Sequence, residues 1–392
     1  MFRHIIHTVR PKCTVNPRRY MALWDKDTQM PCPPPPESEE TLVSLKEATR
    51  FMTDAFKKVG TKEDYAMQMA QILVMADYKG HFSHGLNRLG MYILDIEEGA
   101  VEPNAEPVVL KESASTVCLC GQNGLGGVVG NIAMKLAISK AKSTGIGLVV
   151  ARRSNHYGMA SWYMDQALKE GLLGFTCSNT SPLVAPTGAK NKALGTNPMS
   201  FAAPGKNNDA FVMDMATTSV AVGKIELFMK KGEKIPLGWA VGPDGLPSTD
   251  SKIAFRKGSL MPLGGVEFGH KGYALSLMVE SLCGILGDAL YGPFIRKWNT
   301  REEEANLAHC FVCINPEFFP AGFKDRMSCL MDYLRKMPPA DLKNPVQIPG
   351  DLERNNMKLA DEQGGIMYKE NQIKWADEFA KKYGIPPMKP KD

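Results

Sequence analysis

The chain predicts a mixed α/β fold, and three observations carry that prediction. Segments with apolar residues at helical spacing, such as 42–59 and 128–143, alternate with short strand-like runs at 108–120 and 145–150. Glycines, prolines and small polar residues punctuate the joints between them. Gly121-Gln122-Asn123-Gly124-Leu125-Gly126-Gly127 lies between a strand-like and a helix-like segment, yet it does not complete the doubly wound dinucleotide fingerprint. The third glycine of that pattern falls at Val129, and no acid ends a second strand about twenty residues later. The turn is therefore read as structural.

Length and charge narrow the function class. With 392 residues and 44% hydrophobic content the chain has room for two or three domains and a sizeable core. Its net charge of +5 is local: residues 1–24 hold Arg3, Arg10, Lys12, Arg18 and Arg19 and no acid. Subtracting those five from 47 basic residues balances the 42 acidic ones, so no basic stripe invites nucleic acid. The basic, acid-free, partly apolar segment has the composition of a mitochondrial transit peptide, which places the protein in the mitochondrial matrix; a plain basic tail would leave it cytoplasmic. No apolar run is long enough to span a membrane. Nine scattered cysteines read as reduced thiols, and the spacing of Cys310 and Cys313 falls in a strand-like run without a second ligand pair, so no metal is expected.

The elements follow in order. Met30 to Pro36 is a stiff polyproline linker running into Glu37, Glu39 and Glu40, and the folded body begins near Thr41. Leu42, Leu45, Ala48, Phe51, Met52, Ala55 and Phe56 mark a helix stopped by Gly60; Thr61 to Asp64 then caps a second helix that runs toward Asp77. A short helix covers 89–98, a strand 108–120, a helix 128–143, a buried strand 145–150 and a helix 160–170. From Leu172 to Ala216 the chain is rich in strands and loops, with small residues and side-chain donors where backbone approaches a ligand. Gly264-Gly265 and His270-Lys271-Gly272 open a long helix over 273–286 whose N-terminus suits an anion.

Two histidines stand out against this background. His84 in Gly80-His81-Phe82-Ser83-His84-Gly85-Leu86-Asn87-Arg88 and His156 in Ser154-Asn155-His156-Tyr157-Gly158 each sit in a glycine-flanked polar turn directly after an apolar run. Such turns hold a side chain rigidly and leave it reachable. One histidine so placed is ordinarily a hydrogen-bonded loop residue; two, with Ser83 and a carboxylate-binding fork at Arg88, point to acid/base chemistry.

Taken together the chain resembles the type-2 malate/L-lactate dehydrogenase family, through DYKGHFSHGLNRL, GIGLVVARRSNHYGMA, SPLVAPTGAKNKALGTNPMSFAAP, DMATTSVAVGKIE, LMPLGG and HKGYALSLMVE. The likeness runs from about Leu42 to Ile385 and is absent from residues 1–40. It implies a non-Rossmann, largely antiparallel sheet that binds the dinucleotide between a helical region and a smaller domain, in a homodimer. The domain division expected from it is a presequence and linker at 1–40, a helical region with the Ser-His-Gly turn at 41–115, an NAD-binding and catalytic domain at 116–300, and a completing C-terminal region at 301–392. The implied activity is hydride transfer between a nicotinamide cofactor and a small 2-hydroxy or 2-oxo acid, with malate and oxaloacetate in the lead. Reduction of a cyclic imino acid and a ureidoglycolate-type oxidation are the enzymatic alternatives; a catalytically silent homodimer is the alternative from another class.

By the same resemblance, His156 is the first candidate for proton donor and His84 the competing one. Ser83 polarises the carbonyl or orients His84, Arg88 clamps the substrate carboxylate, and Thr180, Ser181 and Asn197 border the substrate. Asp214, Met215, Ala216, Gly264, Gly265, Pro198 and Gly350 border the cofactor, taken as NAD with NADP as the alternative. An acid at Asp214 facing the ribose favours NAD. The chain departs from the pattern at Cys120-Gly121-Gln122, at Val266 to Gly269, which reads as an insertion, and around His309.

Overall fold

The computed structural model describes residues 40–391, so the transit-peptide and polyproline expectations lie outside the described residues. Strand β1 (Glu40–Val43) precedes helix α1 (Leu45–Lys58), and Ser44 marks the junction by accepting the Glu47 amide at 3.2 Å. Residues 42 and 43 are thus strand where periodicity had suggested helix, because the cap, not the apolar spacing, sets the boundary. Helix α2 (Glu63–Tyr78) and helix α3 (Leu86–Glu97) flank the turn at residues 79–85. The alternating run after them is a hairpin of β2 (Val108–Glu112) and β3 (Thr116–Cys120), turned where Ser113 Oγ accepts the Thr116 amide at 3.1 Å.

Helix α4 (Gly126–Thr144), strand β4 (Ile146–Ser154), helix α5 (Ser161–Lys169) and strands β5 (Leu173–Ser178), β6 (Met199–Pro204) and β7 (Ala210–Met215) build the centre. A smaller body follows: α6 (Val222–Lys231), β8 (Ala240–Val241), β9 (Pro247–Ser248), α7 (Ser251–Lys257) and β10 (Ser259–Leu260), closed over Val184, Leu194, Val220, Ile225 and Leu260. Helix α8 (Gly265–Glu280) starts eight residues before the expected Tyr273, because Gly264 and Gly265 take positive φ values of 98° and 57° and launch it. His270 and Lys271 therefore lie inside the helix, and no anion-binding N-terminus forms at them. Strand β11 (Leu307–Ile314), helices α9 (Phe323–Arg335) and α10 (Asp351–Gln363), strand β12 (Ile366–Lys369) and helix α11 (Glu370–Tyr383) complete the chain.

The main sheet has the order β2-β3-β4-β11-β5-β6-β7, and only β3–β4 is a parallel pair. This is the largely antiparallel sheet expected, outside the doubly wound class. Its registers bring the C-terminal ends of β3, β4, β5 and β7 and the starts of β6 and β11 to one edge. Helices α1, α2, α3 and α11 share an apolar core of Phe51, Phe56, Met69, Leu73, Leu89 and Phe379. Each such side chain contributes about 1.5–3 kcal/mol on burial, enough to hold the turn at 79–85 rigid. In β11, Cys310 joins the core on one face of the sheet and Cys313 the core on the other, so their spacing cannot make a chelating pair. Among the described residues no helix is long and apolar enough to cross a membrane.

Candidate active site

The first histidine turn is built by a buried acid. Asp77, at the end of α2, accepts the Leu86 amide at 2.9 Å and the Tyr368 hydroxyl at 2.8 Å, which anchors the start of α3. A Cβ on Gly85 would meet the same carboxylate at 1.9 Å, so the glycine after His84 is what lets the acid reach the helix. Burial pushes the Asp77 carboxyl up to about 7. Ser83 Oγ lies 2.9 Å from His84 Nδ1, and Arg88 Nε donates to the Ser83 carbonyl at 2.8 Å. The two terminal guanidinium nitrogens of Arg88 have no acidic partner among the described residues.

The second turn rests on the glycine-rich segment. Asn155 Nδ2 donates to the carbonyls of Asn123 at 3.0 Å and Gly124 at 2.9 Å. A Cβ on Gly126, at the start of α4, would meet the carbonyl oxygens of Asn155 at 2.1 Å and His156 at 2.4 Å. The turn read as merely structural is thus the floor under His156. Tyr92 of α3 places its hydroxyl 2.5 Å from His156 Nδ1, which also accepts the Gly158 amide at 3.3 Å. With Nδ1 accepting, the neutral ring carries its proton on Nε2. The His84 and His156 rings stack with centroids 6.1 Å apart.

His84, His156, Ser83 and Arg88 therefore share one place. Burial lowers His84 to about 4, aided by Arg88 and His81, and lowers His156 to about 3, aided by His84, Arg88 and His309. At neutral pH both rings are uncharged beside an arginine that lacks a counter-ion. An anionic ligand on Arg88 removes one of the charges that hold these values down, so it raises the proton affinity of both rings.

Except for Gly350, the remaining candidates line the same sheet edge. Thr180 Oγ1 accepts the Thr196 amide at 2.9 Å, the Thr217 amide donates to the Thr196 carbonyl at 2.9 Å, and the Leu263 amide donates to the Thr217 carbonyl at 2.9 Å. That chain of bonds ties Thr180 and Ser181, then Pro198, Met215 and Ala216, then Gly264 and Gly265 into neighbouring loops. Gly350 (φ 101°) lies off that edge, since Pro349 accepts the Val212 amide in the middle of β7 at 3.0 Å and Arg354 donates to the Ala210 carbonyl at its start at 2.8 Å. Asp214 accepts the Ser161 amide at 2.7 Å, which couples β7 to the segment just after His156. Burial raises its carboxyl above the usual range.

A profile of the malate/L-lactate dehydrogenase family matches residues 43–375. A malate dehydrogenase of Pyrococcus horikoshii is 40% identical over 340 residues, covering 86% of this chain and 93% of that protein. An L-sulfolactate dehydrogenase of Methanocaldococcus jannaschii is 40% identical over 329 residues, covering 83% and 91%. The crystal structure of malate dehydrogenase from Entamoeba histolytica superposes with a TM-score of 0.83 at 31% identity, covering 89% of this chain and 99% of that one. The chain belongs to the malate/L-lactate dehydrogenase family. It is a 2-hydroxy acid oxidoreductase that works with a nicotinamide cofactor.

Of the residues expected to border the cofactor, Gly264, Gly265 and Gly350 take positive φ, a Cβ on Gly264 would meet the Phe268 carbonyl and one on Gly350 would meet Arg354 and Val212, and Asp214 is spent on the Ser161 amide. Asn197 stands apart. It is fully buried, and its amide is spent on the Thr180 amide at 3.1 Å, Ser276 Oγ at 2.9 Å and Glu280 Oε1 at 2.9 Å, so it shapes the Thr180 loop from behind. Sequence reasoning missed Tyr92, Asp77 and Glu280. Tyr92 lies four residues beyond Arg88 on the same helix face, but its pairing with His156 leaves no mark in the local sequence.

Proposed function

We propose that the enzyme interconverts malate and oxaloacetate with NAD, with His156 as proton donor and Arg88 as carboxylate clamp. The observation that carries this reading is the unpaired Arg88 fork beside two neutral imidazoles, a preformed seat for an anion next to a group able to exchange a proton. Two relatives named for malate or sulfolactate oxidation support a short substrate with a second anionic end.

When bound, the reduced nicotinamide supplies a hydride to the carbonyl carbon. Arg88 takes the substrate carboxylate in two parallel hydrogen bonds, which orients the carbonyl and neutralises the guanidinium. Once the carboxylate neutralises Arg88, His156 takes up a second proton from solvent at Nδ1, where the Tyr92 hydroxyl turns to accept it; the imidazolium presents Nε2–H to the carbonyl oxygen, delivers that proton as charge builds there and returns to the neutral ring. His84 and Ser83 complete the polar wall. Asp214 favours NAD, because a second negative group beside it would be repelled.

The same reading includes a homodimer. Phe268, Leu286 and Phe294 on and after α8 are 53%, 56% and 64% exposed, large apolar side chains that a second copy would cover. It also includes import into mitochondria by residues 1–24, supported by their acid-free basic composition. A fluorescent fusion with and without that segment tests the location.

The catalytic reading is tested by following nicotinamide absorbance with NADH and NADPH against oxaloacetate, pyruvate, sulfopyruvate and a cyclic imino acid, with ureidoglycolate in the oxidative direction. Fastest turnover is expected with oxaloacetate and NADH. Preference for the imino acid or ureidoglycolate moves the assignment within the family, and NADH binding without turnover of any of them contradicts it.

A further inference from the structure

His309 is fully buried in the middle of the main sheet, yet neither of its nitrogens is wasted. Its Nε2 lies 2.8 Å from Ser154 Oγ at the end of β4, and its Nδ1 lies 2.8 Å from Ser178 Oγ at the end of β5. Ser154 is fully buried and Ser178 nearly so; Ser178 Oγ also donates to the Asn179 carbonyl at 2.9 Å. The imidazole stacks on Tyr157, the residue after His156, with centroids 4.6 Å apart and planes at 10°. A leucine would fill this space without the cost of burying two polar nitrogens, so the ring has to repay that cost through its bonds.

What it joins gives the reason. Strands β4 and β5 do not pair with each other, because β11 runs between them. The β11–β4 ladder loses its register between Leu307 and His309, just where β4 hands over to the His156 turn. Beyond that shift the ladder keeps only the Leu307–Ser154 pair on the β4 side and the Asn179–Ala308 bonds on the β5 side, so the regular register no longer runs through to the His156 turn and the Asn179–Ser181 turn. A neutral imidazole offers one donor and one acceptor, which matches two hydroxyls and holds both strand ends at once.

We propose that His309 is a positioning residue for the proton donor, cross-tying Ser154 and Ser178 so that His156 and Thr180 stay in register across the substrate. This rests on the reading of His156 as proton donor. The tie to Ser154 matters most to the reaction, since Ser154 is two residues from His156; the tie to Ser178 serves the opposite wall.

Two isosteres separate the ties in the full-length enzyme. In His309→Gln the side-chain amide reaches the place of Nε2 and keeps the Ser154 bond; in His309→Asn it reaches the place of Nδ1 and keeps only the Ser178 bond. His309→Asn and Ser154→Ala are expected to lower kcat about tenfold to a hundredfold while NADH affinity stays unchanged, with His309→Gln restoring most of the rate. Equal losses in the two isosteres, or kcat per folded molecule unchanged while Tm falls, overturn the proposal and leave His309 a packing residue. If the wild type turns over none of the acids, the functional reading fails by itself. The ring Cε1–H resonance of His156 then decides the tie: it should shift or broaden in His309→Asn and Ser154→Ala and stay near its wild-type position in His309→Gln, and no change in any variant overturns the proposal.

Discussion

At the scale of single residues, the site depends on a few atoms held at hydrogen-bond distance. Replacing Arg88 by lysine keeps the charge and loses the planar fork, so kcat/KM for the oxo acid should fall about 10²-fold while NADH affinity, measured by fluorescence titration, is unchanged. Tyr92→Phe removes the hydroxyl that donates to His156 Nδ1. That bond stabilises the neutral ring, so its loss should raise the His156 pKa and move the kcat/KM pH profile upward, with about a tenfold fall in rate. His84, His156, Ser83 and Arg88 were legible because each side chain matches a chemical task and sits in a glycine-flanked turn. Tyr92 was not: it meets His156 across 64 residues of sequence, a pairing that neither periodicity nor composition encodes.

At the scale of elements, two glycines and one acid aim the helices. Gly126→Ala forces the His156 turn off the start of α4, because the obstructing atoms are backbone carbonyls rather than flexible side chains. The expected result is a stability loss of about 1–3 kcal/mol by chemical denaturation, with kcat down about 10²-fold. Asp77 makes a pH-dependent prediction. Its folded pKa lies above the unfolded one, so the stabilisation it contributes is fully present at low pH and is lost as pH rises through about 7. Asp77→Asn does not titrate, so the Tm advantage of the wild type over this variant should shrink between pH 5 and pH 8; a constant difference would contradict it. Helices with strong apolar spacing were readable within a few residues. The boundaries that were misplaced, at β1, at the β2–β3 hairpin and at the start of α8, were set by Ser44, Ser113 and Gly264, single capping or turning residues whose effect depends on backbone angles.

At the scale of the whole molecule, one sheet edge gathers loops from residues 121–127, 155–158, 179–181, 196–198 and 214–218, and the helical layer swings the 79–88 turn over it. The failed Rossmann fingerprint correctly excluded a doubly wound sheet, whereas strand order came only with the structure, because β11 inserts between β4 and β5 from more than 120 residues away. The exposed apolar side chains on and after α8 belong to this scale as well. Phe268→Asp should shift the protein from dimer to monomer in sedimentation experiments, and a monomeric wild type would remove the homodimer from the account.

The central claim is that one imidazole, held by Tyr92 and Gly158 beside an unpaired arginine, delivers the proton that accompanies hydride transfer. Steady-state oxaloacetate reduction by His156→Gln measures it most directly, with NADH binding followed in parallel. A fall in kcat of about 10²- to 10⁴-fold with NADH affinity retained is the expected result, and a rate within about threefold of the wild type would contradict the claim.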